Sequence, residues 1–287
     1  MAYAVRDVAD LAPASALMAR EGIFTTTNLY SPADIAAVNA AINTPLKSRE
    51  DLPRAYVMSE EMLQLDIFHL LMNQRMRDLL LSVMPDPVLY HFHIYEIAAR
   101  QEVSHIFSEK PGGWHRDGDA PFFAGDPTHV SVFVYLRDVG EEDGPFEFVK
   151  QSPEAGLCPD SLAVTMTGET GTSFAWHRSH FHRAAPNRGA RRRRLMKVSV
   201  QRNAFPSPQL KRPHFQALLA AIEPGDVVMD TLLGRFQGEP APLLAPSRAV
   251  SVEAVGGLRP ILLPDAAIRE LQATIVAGAA TRAAEYD

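Results

Sequence analysis

A single cysteine, Cys158, stands in a chain of 287 residues. That scarcity excludes an internal disulfide framework and any zinc site built on cysteine pairs, so histidines and carboxylates must hold any metal. It also fits a reducing, cytoplasmic setting. Long apolar runs are missing as well: no segment approaches about 18 uninterrupted apolar residues, so no membrane span is expected. The stretch Met1 to Asp7 lacks a charged region leading into an apolar core, and no secretion signal is read there. Positive charge is in deficit too. A net charge of -6 and a pI near 5.9 give no bulk attraction to nucleic acid or anionic membrane. Arg188 and Arg191 to Arg194 form a local basic cluster, expected to be a solvated turn. Repeats and low-complexity tracts are not evident. With 46% apolar residues, the chain has ample material for a buried core.

What is present falls into three parts. In the first, 1–87, Ser31-Pro32-Ala33-Asp34 supplies a cap hydroxyl, a proline at the first helical position and an acid at the third, and Ile35, Val38 and Ile42 follow as an apolar stripe. Ser59-Glu60-Glu61 opens a second helix carrying Met62, Leu63, Ile67, Leu70 and Leu71, and Gln74 to Met84 continues helically until Pro85 and Pro87 end it. This part is expected to be a mainly helical flank. From Val88 to 202 the pattern changes to short β-branched and aromatic segments: Val88–Ile97, Val130–Leu136, Phe146–Val149, Gly171–Trp176 and Leu195–Val200. Short strands with no helices between them indicate an antiparallel sandwich or jelly roll. The last part, 203–287, shows a short helix over His214–Ile222, a loop over Pro240–Pro246 and a final helix from Asp265 carrying Ile268, Leu271 and Ile275. This extension would cover the outer face, form a lid or join two copies as a homodimer. The whole reads as one domain, mainly β with flanking helices.

The densest chemistry is in Trp114-His115-Arg116-Asp117. Residues i and i+2 of a strand share a face, so His115 and Asp117 can reach one metal ion while Arg116 points away. A third ligand is available downstream among His177, His180 and His182. His180 and His182 share parity, and Pro186-Asn187 predicts a turn just after His182, placing it at a strand end facing a cavity mouth; His180 is the reserve. Two histidines and one carboxylate with open positions suit non-haem Fe(II) used with oxygen.

Arg193 follows His182 by eleven residues, far enough for the chain to return on a neighbouring strand toward the same pocket. Its guanidinium fork suits a carboxylate. Arg191 has the same parity, and Arg192 or Arg194 would replace it if the turn differed by one residue. A metal with open positions beside such an arginine describes a site for an α-keto acid that chelates iron and anchors its far carboxylate, that is, 2-oxoglutarate. The strand His91-Phe92-His93 is a candidate cavity wall, as are Trp114, Phe122 and Phe123. His105, His129, His177 and His214 are read as packing or surface residues, Asn187 as a turn residue, and Glu96 and Asp119 are given no role.

Trp114-His115-Arg116-Asp117, Gly144-Pro145-Phe146-Glu147-Phe148-Val149 and His182-Arg183-Ala184-Ala185-Pro186-Asn187, in this order, resemble motifs of the phytanoyl-CoA dioxygenase family. Over roughly residues 15 to 202 the resemblance implies a double-stranded β-helix (jelly-roll, cupin-like) core. It also implies iron ligands at His115, Asp117 and His182, with the 2-oxoglutarate carboxylate on Arg193. Fe(II), 2-oxoglutarate and molecular oxygen are the implied cofactor and cosubstrates. The sequence departs from the family at Ala184, where a hydroxyl residue that assists the arginine is common, and at Gly189, where serine is frequent. Lys150-Gln151-Ser152-Pro153 replaces the usual Gly-Ser-His ending. Because halogenating relatives lack the carboxylate ligand, Asp117 points to hydroxylation of an unactivated C–H bond in a small or medium metabolite, with release of succinate and CO2. Arg178, Arg183 and Arg188 would form a solvated face or receive an anionic group. The alternatives are desaturation or rearrangement on the same scaffold, or a jelly-roll ligand-binding protein without chemistry. A small-molecule partner is expected, with no nucleic acid and no membrane.

Overall fold

The computed structural model describes residues 12–84, 87–102, 113–117, 129–150, 162–202, 213–235, 251–253 and 260–262. Helix α1 (Ala12–Glu21) leads through Gly22 into strand β1 (Ile23–Thr27), and α2 (Pro32–Lys47) follows. As the sequence predicts, the Ser31 side chain accepts from the Asp34 N–H while Asp34 accepts from the Ser31 N–H, a closed capping box. Ile35, Val38 and Ile42 are buried. After β2 (Arg54–Met58) the expected second helix is broken into α3 (Ser59–Gln64) and α4 (Phe68–Leu71). Asp66 stands at φ 55° between them, with Ile67 N bonded to Met62 O and Asp66 N to Leu63 O. These are the two bonds of a Schellman stop, which an aspartate can form in place of glycine. Helix α5 (Gln74–Val83) is capped by Asn73.

The remaining strands are β3 (Pro87–Ile97), β4 (His129–Tyr135), β5 (Phe146–Val149), β6 (Leu162–Met166), β7 (Ser173–His177), β8 (His182–Ala184), β9 (Arg193–Arg202), β10 (Ser251–Glu253) and β11 (Pro260–Leu262). They form two antiparallel sheets, ordered β10-β1-β7-β4-β9-β3-β2 and β11-β6-β5-β8. The chain crosses between sheets as a jelly roll does, closing a double sheet on itself. The first third is thus helical but not purely so, because β1 and β2 extend the larger sheet. From the C-terminal extension, α6 (Pro213–Ala221) packs on α3, α7 (Val227–Leu232) packs on β3, and β10 and β11 add one strand to each sheet. The expected helix from Asp265, the loop at Pro240–Pro246, and His105, Asp119, Phe122 and Phe123 lie outside the described residues. No helix among the described residues is long and apolar enough to cross a membrane.

Strand alternation divides the core. On the larger sheet Phe92, Ile94, Val132, Met196 and Val198 face the helices, while Tyr95, Phe133, Phe174, Trp176 and Leu195 face the smaller sheet and meet Phe146 and Phe148. Each such fully buried apolar side chain contributes roughly 1.5–3 kcal/mol of transfer free energy. The inner face is continuous with a cavity of about 690 Å³.

Candidate metal centre

His115 is joined to the edge of the smaller sheet by one antiparallel bridge to His182, each N–H donating to the other's carbonyl at 3.0 Å. Directly opposed residues of an antiparallel pair project from the same face, which sets the two imidazoles 4.4 Å apart, centroid to centroid. Asp117, two residues on, keeps that face, and its N–H continues toward the carbonyl of Arg178 at 3.4 Å. Arg116 turns the other way and lies over the Phe181 ring, as parity requires. One ligand atom from each of His115, Asp117 and His182 lies within 4.8 Å of the others.

Both imidazoles are oriented through Nδ1, which lies 2.9 Å from the Gly113 carbonyl in His115 and 2.9 Å from the His180 carbonyl in His182. Such bonds place the proton on Nδ1 and assign Nε2 to a metal. In His182 that Nε2 is 3.8 Å from Asp117 Oδ1. Burial, reinforced by neighbouring His115, pushes the His182 pKa down to about 3, so the ring is neutral, the form that binds metal. Burial alone would raise the Asp117 carboxyl. The charge of Arg178, with smaller contributions from His182, Lys197 and His115, instead holds it well below the usual carboxylate range. Arg178 Nε donates to Asp117 Oδ2 at 2.6 Å while its guanidinium lies 4.5 Å over the Tyr90 ring. One carboxylate oxygen is therefore engaged by the protein and the other faces the histidines. An ionised carboxylate, the neutral His182 ring and a His115 ring oriented through Nδ1 fit Fe(II) with positions left open. These three residues could hold that ion.

Arg193 begins β9, lines the same cavity and is 2% exposed. Its Nη1 donates to the carbonyl of Gly144, where a φ of 71° and the packing of Ala185 O 2.8 Å from any Cβ require glycine. Its Nε has no hydrogen-bond partner, and no described carboxylate pairs with it. A buried guanidinium without an acid is arranged for an anion.

The arginine run is not the expected solvated turn. Arg188 and Arg191 are exposed, but Arg192 bonds Glu96 at 3.0 Å, and Arg194 is buried against Glu96, Asn39 and Asn43, each at 2.8 Å. Alternation along β9 sends Arg194 to the helical side and Arg193 into the cavity. Arg183 pairs with Glu147 and lies 4.7 Å over Trp114. The reserve ligand His180 stacks on Phe148 with centroids 4.9 Å apart and fills the space beside Gly22, whose Cβ would meet its ring at 2.3 Å. His129 and His177 are buried packing residues, and Asn187 ties the turn by donating to Arg191 O at 2.9 Å. His91 and His93 line the cavity, as do Tyr56, Tyr95 and Lys197. Sequence reasoning missed Tyr95, although it has the parity of His91 and His93. It also missed the bond from Arg178 to Asp117, for which no local signal exists.

The family model described as phytanoyl-CoA dioxygenase (PhyH) matches residues 18–195, more than half of the chain, with all three donors and Arg193 inside it. The chain belongs to the phytanoyl-CoA dioxygenase family. That family is one of Fe(II)- and 2-oxoglutarate-dependent oxygenases. Among curated proteins, L-proline trans-4-hydroxylase of Streptomyces griseoviridis is 25% identical, matched over 43% of this chain and 59% of the hydroxylase. The chain thus spans less than two thirds of that relative. Among solved structures, SnoN, a non-haem α-ketoglutarate-dependent epimerase from nogalamycin biosynthesis, is 20% identical with a TM-score of 0.54, covering 69% of this chain and 84% of SnoN. EctD from S. alaskensis, solved with 2-oxoglutarate and 5-hydroxyectoine, is 13% identical with a TM-score of 0.51, covering 71% and 85%. These likenesses establish the jelly-roll fold of this family member.

Proposed function

We propose that the chain works as one oxygenase domain that hydroxylates an unactivated C–H bond of a small, polar metabolite, releasing succinate and CO2. The observation that carries this reading is one cavity containing both an oriented two-histidine, one-carboxylate donor set and a buried arginine lacking an acid partner. His115 and His182 bind iron through Nε2 and Asp117 through Oδ1, with Arg178 fixing the second oxygen. Bound Fe(II) and 2-oxoglutarate together supply the oxidising power drawn from dioxygen. Arg193 receives the far carboxylate of the cosubstrate, which fixes the direction in which it lies. Trp176, whose ring is 4.3 Å from that of His182, and Phe133 and Phe146 keep water from the reacting carbon. Tyr56, His91, His93 and Lys197 give the wall hydrogen-bonding groups suited to a polar substrate rather than a bare hydrocarbon chain. The proline hydroxylase likeness supports the same class.

The test is anaerobic titration of Fe(II)-loaded protein with 2-oxoglutarate. A weak visible charge-transfer absorption is expected, followed by succinate under air. Folded protein giving neither would sink the oxygenase assignment.

A further inference from the structure

The deep wall of the cavity pairs Arg193 with a tyrosine. In the β3–β9 register Ile97 stands opposite Arg193 and Tyr95 opposite Leu195, so Tyr95 and Arg193 are diagonal neighbours on the inner face, and both line the cavity. The guanidinium hydrogen-bonds the Tyr95 hydroxyl. Because a guanidinium only donates, the phenol oxygen accepts, and its own proton must find another partner. Among the described residues no carbonyl or carboxylate receives it. Tyr135, on the same sheet face, is different: its hydroxyl donates to Met166 O at 2.7 Å and accepts from Phe146 N at 3.3 Å. One inner tyrosine is therefore used by the fold, and the other is held ready for something in the cavity. Arg193 repeats the pattern, with Nη1 tied to Gly144 O and Nε lacking an acceptor. Across the cavity Ala184 presents only a methyl group.

We propose that Tyr95 is a cosubstrate-binding residue: its O–H and Arg193 Nε–H together grip the far carboxylate of 2-oxoglutarate, one donor to each oxygen. The inference rests on the 2-oxoglutarate reading of the site. Burial raises the Tyr95 pKa against the lowering charges of Arg193 and Arg54, so the phenol keeps its proton and remains a donor at neutral pH.

The experiment compares full-length Fe(II)-loaded protein with Tyr95→Phe, anaerobically, measuring dissociation constants for 2-oxoglutarate and for 2-oxopentanoate, which carries a methyl in place of the far carboxylate. Loss of one hydrogen bond to a charged group predicts 2-oxoglutarate binding roughly 10- to 100-fold weaker. Affinity for 2-oxopentanoate, Fe(II) affinity and the thermal midpoint should be unchanged. Unchanged 2-oxoglutarate affinity, or equal weakening of both keto acids, would overturn the proposal, the latter by showing a structural role. Failure of the wild-type protein to form any chelate with 2-oxoglutarate would instead bring down the reading on which it rests.

Discussion

Arg193 and Arg194 are consecutive, 2% and 3% exposed, and opposite in fate. Arg194 turns toward α2, where Glu96, Asn39 and Asn43 occupy its donors. Arg193 turns into the cavity, where it meets a carbonyl and a phenol but no acid. Burying a cation is costly on either side, and only one side compensates it within the protein. Burial therefore does not distinguish a structural arginine from a binding one, whereas the list of its acceptors does.

The histidines of the distal motif put the same comparison to its most severe test. His182→Ala should weaken Fe(II) binding more than about 100-fold, beyond the usual effect of losing an outer contact. His180→Ala should leave metal affinity intact and lower thermal stability, since that ring packs on Phe148. Calorimetric titration of both variants checks this, and the reverse outcome would exchange the two roles. Next in size is the arginine pair itself. Arg193→Met should reduce 2-oxoglutarate affinity by on the order of 100-fold while the protein stays folded. Arg194→Met removes the most buried partner of Glu96, leaves Arg192 at 3.0 Å, and should cost about 1–3 kcal/mol in denaturant unfolding without selective loss of cosubstrate binding. If both variants lost stability alone, the contrast would be broken.

A third variant, Arg178→Met, releases Asp117 Oδ2 and should weaken Fe(II) binding about 10- to 100-fold with 2-oxoglutarate anchoring on Arg193 preserved. The smallest effect concerns acid. Burial, helped by His129, pushes the His177 pKa down to about 3, below its unfolded value of 6.5. Folding keeps that ring unprotonated, so its contribution to stability is whole above pH 6.5 and is lost as pH falls from there toward 3. In metal-free protein His177→Gln should flatten the decline of the thermal midpoint between pH 7 and 5, and identical slopes would remove His177 from the account.

Much of the geometry of the candidate centre is legible because strand parity is a local property. His115 and Asp117 share a face, Pro186-Asn187 ends β8 just after His182, and the interval to Arg193 allows one turn and return. Helix caps were legible for the same reason. What escaped depends on partners distant in sequence. The five residues of β2 lie between helices and gain meaning only against β3. Arg178 matters because a distant loop delivers Asp117 to it, and Tyr95 because β9 pairs with β3 in one register. The basic run misled because composition records charge but not which side of a sheet receives it.

The turn over 185–192 joins β8 to β9. Since side chains alternate along β9, a slip of that strand by a single step would point Arg194 into the cavity and Arg193 at Glu96. Pairing with β3 on one side and β4 on the other opposes such a slip, so a residue gained in the turn is absorbed in the turn. His182 and Arg193 thus reach one cavity through the parity of two strands, and the turn between them is free to vary in length while that register holds.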